Sequence, residues 1–153
     1  MNRKKEKGFS LVELLVVVII IAIVAAIAIP NLLASRRAGN EASAINSLRT
    51  YHSAEVTYYA TIGGNNTYAL ATDLGLAGLV DPVLAGAPPT KSGYDFVLNI
   101  GSGTYCATAA PSTPGTTGNS YYGVSVDGVI YKDSAALVCS NAGVLTVSGN
   151  PIQ

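Results

Sequence analysis

The chain has 153 residues, and its nine lysines and arginines balance nine aspartates and glutamates, so the formal net charge is zero. This length predicts one small domain, and the charge balance gives no basic surface for nucleic acid beyond the pair Arg36-Arg37. The single histidine, His52, has no partners from which a catalytic or metal site can be built, so we predict no catalytic residue, no metal and no cofactor.

The chain begins with a basic segment that is followed by a long apolar run. Arg3, Lys4, Lys5 and Lys7 precede Gly8, and every residue from Leu14 to Ile29 is apolar. Together with residues 9–12, the run reaches the ~20 residues that a helix needs to cross a bilayer core. A basic N-terminal flank stays in the cytoplasm, which predicts that everything after Pro30 is exported.

The run contains one carboxylate, Glu13, close to its start. An ionised carboxylate inside a membrane segment is costly and usually has a function. A secretory signal peptide, with Ala26-Ile27-Ala28 as its cleavage site, accounts neither for the length of the run nor for Glu13. A plain membrane anchor explains the length and the orientation but not Gly8, Phe9 or Glu13. Glu13 alternatively only snorkels to the cytoplasmic interface.

The segment GFSLVELLVVVIIIAIVAAIAIPNL resembles the N-terminus of bacterial type IV pilins of the N-methylphenylalanine type and of the related pseudopilins. The resemblance covers roughly residues 1–35. It implies that a prepilin peptidase cleaves between Gly8 and Phe9 and N-methylates the Phe9 amine. It also implies that Glu13 pairs with the Phe9 amine of a neighbouring subunit during assembly, and that Pro30 marks a kink or a locally melted stretch of the helix.

The resemblance further implies a structural subunit, not an enzyme, that polymerises into a helical type IV pilus. Its partners are then other copies of the chain, the prepilin peptidase and the pilus assembly machinery, and no nucleic acid is expected. The subunit lies in the inner membrane before assembly, with a periplasmic head, and afterwards in the extracellular pilus. Alternatives are a pseudopilin of a type II secretion system, and a minor pilin that acts as a binding module at the tip.

The chain divides into a cleaved leader, a helix in two parts, a connecting region and a head. The boundaries that we predict are 1–8, 9–30, 31–62, 63–93 and 94–153. Residues 31–62 continue the helix beyond the membrane, and Gly63-Gly64 ends it. One semi-apolar face recurs at helical spacing in this part. That predicted face consists of Ile45, Leu48, His52, Val56 and Tyr59.

Residues 94–149 alternate in the manner of β-strands, and Asp127-Gly128 predicts a hairpin turn. The economical arrangement is an α+β fold, in which a long N-terminal helix packs against a roughly four-stranded antiparallel sheet. Type IV pilins carry a head of this kind. Asp127 and Asp133 alternatively supply oxygens for calcium, although a fuller ligand set is missing.

Cys106 and Cys139 both lie in the part that is predicted to be exported. An even number of cysteines in an oxidising compartment favours a disulfide. By resemblance to the pilins, the Cys106–Cys139 bond closes the disulfide-bounded C-terminal region and joins it to the sheet.

Overall fold

A computed structural model of the chain describes residues 8–147 and 149–152. Helix α1 runs from Leu11 to Thr61 and is 51 residues long. The described chain forms two compact units, which meet in sequence between Ser35 and Arg36.

The first unit is the apolar part of α1. Its large apolar side chains are exposed along the whole segment, and the helix is long and apolar enough to cross a membrane by length and composition. Pro30 lacks a backbone N–H. The helix nevertheless continues without a break through Pro30. The kink or melted stretch that the pilin resemblance implies at Pro30 stays a prediction.

The second unit contains the remainder of α1, which packs against a sheet through a face that partly overlaps the predicted one. Of the predicted face only Leu48 is fully buried, whereas Val56 is 48% exposed. Small residues bring the helix close to the sheet. The buried polar side chains of Ser47, Tyr51 and Glu55 each make a hydrogen bond, which a pattern of apolar residues does not predict. The buried residues of α1 are Ala44, Ser47, Leu48, Tyr51, Ala54 and Glu55.

The connecting region contains the short helix α2, Ala71–Leu76. A hydrogen bond and an ion pair hold the chain that follows α2. The Tyr51 hydroxyl donates a hydrogen bond to the backbone carbonyl of Leu84. Lys91 and Asp81 form an ion pair of 2.7 Å on the surface. This region therefore folds against the helix instead of forming a free loop.

An antiparallel sheet of six strands follows, which confirms the predicted α+β class. Its order is β1-β2-β3-β4-β5-β8, two strands more than expected. The two additional strands lie at the edges and have two residues each, too few for an alternating pattern to reveal. The strands of the sheet are β1 Thr90–Lys91, β2 Tyr94–Gly101, β3 Thr104–Pro111, β4 Tyr121–Ser125, β5 Ile130–Asp133 and β8 Asn150–Pro151.

A second, two-stranded sheet is formed by β6, Val138–Cys139, and β7, Leu145–Thr146. Because this hairpin lies over the outer face of the main sheet, consecutive residues of β3 are buried on both faces. A Cβ atom on Gly123 of β4 would lie 3.0 Å from Leu145 and 3.1 Å from Leu137. Glycine at this position therefore lets the hairpin approach the sheet closely.

Candidate functional site

The N-terminus of α1 is closed by two hydrogen bonds, one from Ser10 to the Glu13 carboxylate and one from Val12 to the Ser10 hydroxyl. The backbone N–H of Ser10 donates to Oε2 of Glu13 at 2.9 Å, and the N–H of Val12 donates to Oγ of Ser10 at 3.3 Å. This is a capping box, in which a serine at the cap and a glutamate three residues later satisfy exposed N–H groups of the first turn. Glu13 therefore has a structural partner within its own chain. The spacing Ser-x-x-Glu indicates this role of Ser10, which is not among the predictions made from the sequence.

Gly8 and Phe9 precede the capped turn and are accessible. The Phe9 side chain is 87% exposed, and no atom lies within 4 Å of the position that a Cβ on Gly8 would occupy. Both residues lie outside α1, which begins at Leu11. The peptide bond between them is thus presented in a non-helical segment directly before the membrane-length helix.

The disulfide joins Cys106 in β3 to Cys139 in β6, with a Cα–Cα distance of 5.7 Å. Two side chains support the same contact by donating to backbone carbonyls of the covering segment. Asn99 donates to the carbonyl of Cys139 at 2.9 Å, and Thr104 donates to that of Gly143 at 3.1 Å. The bond thus holds the C-terminal hairpin on the sheet, as the pilin resemblance implies.

Comparisons with known proteins agree with these features. The prokaryotic N-terminal methylation motif matches residues 3–29. The type IV wide pilus major component PilA4 of Thermus thermophilus is 30% identical over 138 residues, which are 90% of this chain and 95% of that protein. The chain belongs to the type IV pilin family.

Pseudopilin relatives are matched over a shorter length. The type II secretion system core protein G of Aeromonas hydrophila is 30% identical over 95 residues, 62% of this pilin and 63% of that protein. Core protein G of Escherichia coli K12 is 29% identical over 92 residues, 60% of this pilin and 59% of that protein. No solved structure matches the chain significantly. The chain is thus a pilin-like structural subunit.

Other polar side chains of this pilin hold its loops in place. The Glu41 carboxylate accepts from the backbone N–H of Asn119 at 3.0 Å and from the Tyr122 hydroxyl at 2.9 Å. Asp127 accepts from the Tyr131 hydroxyl and from the backbone N–H of Val129. The two Asp127 bonds support the turn between β4 and β5, which is longer than the predicted two residues. Among the described residues, no group of three or more potential ligands is arranged to hold a metal ion.

Burial and pairing shift several pKa values in the head. Burial raises the pKa of the Glu55 carboxyl to about 7, and a hydrogen bond from Ala69 opposes this shift. Burial likewise raises the pKa of Tyr122 to about 12. The hydrogen bond from Lys91 lowers the pKa of Asp81. These shifts accompany packing and surface pairing, and none of these groups lies in an arrangement of nucleophile and base.

Proposed function

We propose that this pilin polymerises into a type IV pilus after cleavage between Gly8 and Phe9 by a prepilin peptidase. The observation that carries the proposal is the similarity to a pilus major component over 90% of the chain. The methylation motif and the exposed apolar part of α1 support it from the N-terminal side. The peptidase then N-methylates Phe9, as the motif implies.

Cleavage creates a cation four residues before Glu13. The new amine of Phe9 is positively charged and directly precedes the capped first turn of α1. In the capping box Glu13 uses Oε2 for the N–H of Ser10. Because a carboxylate has two oxygens that accept hydrogen bonds, Glu13 can bind the Phe9 amine of a neighbouring subunit while it still caps its own helix.

The apolar part of α1 supplies most of the assembly free energy. Its leucines, valines and isoleucines are largely exposed in the single chain. When a subunit leaves the inner membrane, contact between these helices replaces contact with lipid. At ~25 cal/mol per Å² of apolar area, even a partial contact that keeps these side chains from water is worth many kcal/mol. Residues 9–30 are in this proposal the filament spine, residues 31–62 its amphipathic continuation and residues 94–153 the head.

A pseudopilin of a type II secretion system is the second candidate. Two core protein G relatives, matched over about three fifths of the chain, favour it. The two candidates share the leader, the peptidase and the spine, and they differ in where the assembled filament is found. A pilin is recovered in filaments sheared from the cell surface, whereas a pseudopilin stays within the cell envelope.

Intact-mass spectrometry of sheared surface filaments tests both processing and assembly. We expect an abundant chain that begins at Phe9 and carries one added methyl group on its N-terminus. A mature chain beginning after Ala28 would instead identify a signal peptide, and absence from surface filaments would favour the pseudopilin.

Variants of Gly8 separate the peptidase from the fold. Because a Cβ at Gly8 meets no atom within 4 Å, neither Gly8→Ala nor Gly8→Leu disturbs the chain itself. We expect Gly8→Ala to be processed far better than Gly8→Leu, since the proposed enzyme pocket has little room. Equal processing of both variants would contradict the cleavage position.

A further inference from the structure

Glu55 is fully buried in the head and forms no ion pair with any described residue. It lies on α1, and the residue is 0% exposed. Oε2 accepts a hydrogen bond of 3.0 Å from the backbone N–H of Ala69, while Oε1 is buried with no hydrogen-bond partner among the described residues. A buried carboxyl with one hydrogen bond and no counter-ion is stable when it is protonated and unstable when it is ionised.

The aromatic side chains of Tyr68 and Tyr105 lie close to this carboxyl, since its charge adds to burial in raising the pKa of both hydroxyls. Tyr68 stacks on Tyr59 of α1 with ring centroids 4.7 Å apart, and it meets Tyr105 of β3 at 4.8 Å. Burial and then the charge of Glu55 raise the pKa of Tyr105, so the two groups are close. The Tyr105 hydroxyl is hydrogen-bonded to Nδ1 of His52. Asp127, in the neighbouring turn between β4 and β5, also raises the pKa of Tyr105, and it is an acid. None of these groups supplies a permanent positive charge.

The segment 67–70, which Glu55 contacts, follows a turn in which Gly64 and Asn65 both have positive φ, at 61° and 57°. At the other end, Leu70 is the N-cap of α2, and its side chain makes no capping hydrogen bond. Residues 67–70 belong to no helix or strand, yet Ala69 is only 2% exposed and lies in the hydrophobic core. The bond to Glu55, the packing of Tyr68 and the burial of Ala69 therefore hold this segment on the head.

We propose that Glu55, Ala69 and Tyr68 form a pH-operated latch, which closes the segment 67–70 when Glu55 is protonated and releases it when Glu55 is ionised. The closed state leaves a neutral carboxyl whose oxygen accepts from Ala69. Ionisation places negative charge on both oxygens, of which Oε1 has no hydrogen-bond partner among the described residues. Opening of the segment admits water to that oxygen. Burial raises the pKa of Glu55 to about 7 in the closed state, so this state loses stability as the pH rises towards 7 and loses no more above it.

Amide hydrogen exchange of the mature chain in detergent micelles tests this proposal between pH 5 and pH 9. The intrinsic exchange rate rises with pH. The protection factor corrects for this, since it is the exchange rate of an unstructured reference peptide divided by the measured rate. We expect the protection factor of the Ala69 amide to fall by about tenfold per pH unit from pH 5 to about pH 7 and to be constant above it, because opening releases a proton only in the range where the exposed Glu55 is ionised and the buried one is not. The amide of Ala107, in the central strand β3, serves as an internal control and should stay constant.

Two glutamine variants identify the group responsible. Glu55→Gln keeps a neutral side chain of the same shape, and Ala69 protection should then be independent of pH. Glu41→Gln is the matched control, because Glu41 lies on the same helix and holds a different segment through Asn119. Its Ala69 protection should keep the wild-type pH dependence. A flat wild-type profile, or the same slope in Glu55→Gln, would overturn the proposal.

A titration of the wild-type protein keeps the test valid if Glu55→Gln does not fold. The mature chain contains only three glutamates, Glu13, Glu41 and Glu55, so selective ¹³C labelling of their carboxyl carbons gives a simple spectrum. The midpoint of the Glu55 signal should coincide with the pH above which Ala69 protection stops falling. A midpoint close to that of an ordinary glutamate would contradict the latch.

Discussion

The hydroxyl of Tyr51, on the buried face of α1, donates a hydrogen bond of 2.5 Å to the backbone carbonyl of Leu84 in the connecting region. Tyr51 and Leu84 are both completely buried, so water cannot replace the hydroxyl if it is removed. We expect Tyr51→Phe to lower the free energy of unfolding of the head by ~1–3 kcal/mol, because the carbonyl of Leu84 loses its donor. Denaturant unfolding in detergent measures the change. Tyr121→Phe, at a half-buried position, is the control and should have a smaller effect.

Two substitutions of Glu13 separate helix capping from charge pairing. Glutamine can replace glutamate in a capping box, whereas alanine cannot. If the charge of Glu13 docks each subunit, Glu13→Gln and Glu13→Ala should both strongly reduce the number of surface filaments. Both should still be held in the membrane, since insertion scales assign a penalty of roughly 2.5–3.5 kcal/mol to a charge at the centre of a membrane helix.

Filament counts in strains that express only the variant decide between these roles. Normal assembly of Glu13→Gln together with failed assembly of Glu13→Ala would show that the cap to Ser10 is the essential function. Normal assembly of both variants would show that Glu13 only snorkels to the interface. Each result therefore assigns a different role to the same side chain.

Loss of the disulfide should destabilise the head without affecting membrane insertion. We expect Cys139→Ser to reduce the free energy of unfolding by ~2–5 kcal/mol, because the bond closes a loop with a sequence separation of 33 residues. The double variant Cys106→Ser/Cys139→Ser should lose a similar amount. Proteolysis followed by mass spectrometry should then find the first new cleavage sites in the C-terminal hairpin. Unchanged stability after reduction would contradict a structural role for this bond.

Two glycine-to-alanine substitutions should change stability in opposite directions. A Cβ on Gly101 would lie 1.9 Å from the carbonyl oxygen of Ala142, so Gly101→Ala must push the C-terminal hairpin away from β2. Gly39 lies in α1 with nothing within 4 Å of its Cβ position, so Gly39→Ala should stabilise the helix by roughly 0.5–1 kcal/mol. Unfolding midpoints of the two variants, measured against the wild type, should shift in opposite directions. A shift in the same direction would refute one of these two assignments.

The order of elements could be predicted from the sequence, because strong local signals mark them. The apolar run and the alternation from Tyr94 onwards lie in continuous segments, and β2 spans Tyr94–Gly101. Strands β1 and β8 have two residues each, which is too short for an alternation of apolar and polar residues to be recognised. Both strands are defined by their pairing with longer neighbours.

The buried face of α1 could not be predicted in the same way. Glu55 is polar in sequence and buried in the structure, since Ala69, 14 residues further on, supplies its hydrogen bond. Val56 is apolar and remains half-exposed. Which side of a helix is covered depends on contacts that are distant in sequence, and a pattern of apolar residues does not contain them. The capping role of Ser10 was by contrast visible in a four-residue spacing.

The C-terminal hairpin is fixed to the sheet by groups that point inward. The contact consists of a disulfide, hydrogen bonds to two backbone carbonyls, and the packing of the Leu137 and Leu145 side chains. Val138 and Val144, by contrast, are 59% and 55% exposed and contribute little to it. Their positions can accept mutations at small energetic cost, so the outer surface of the hairpin can change while the fold stays the same.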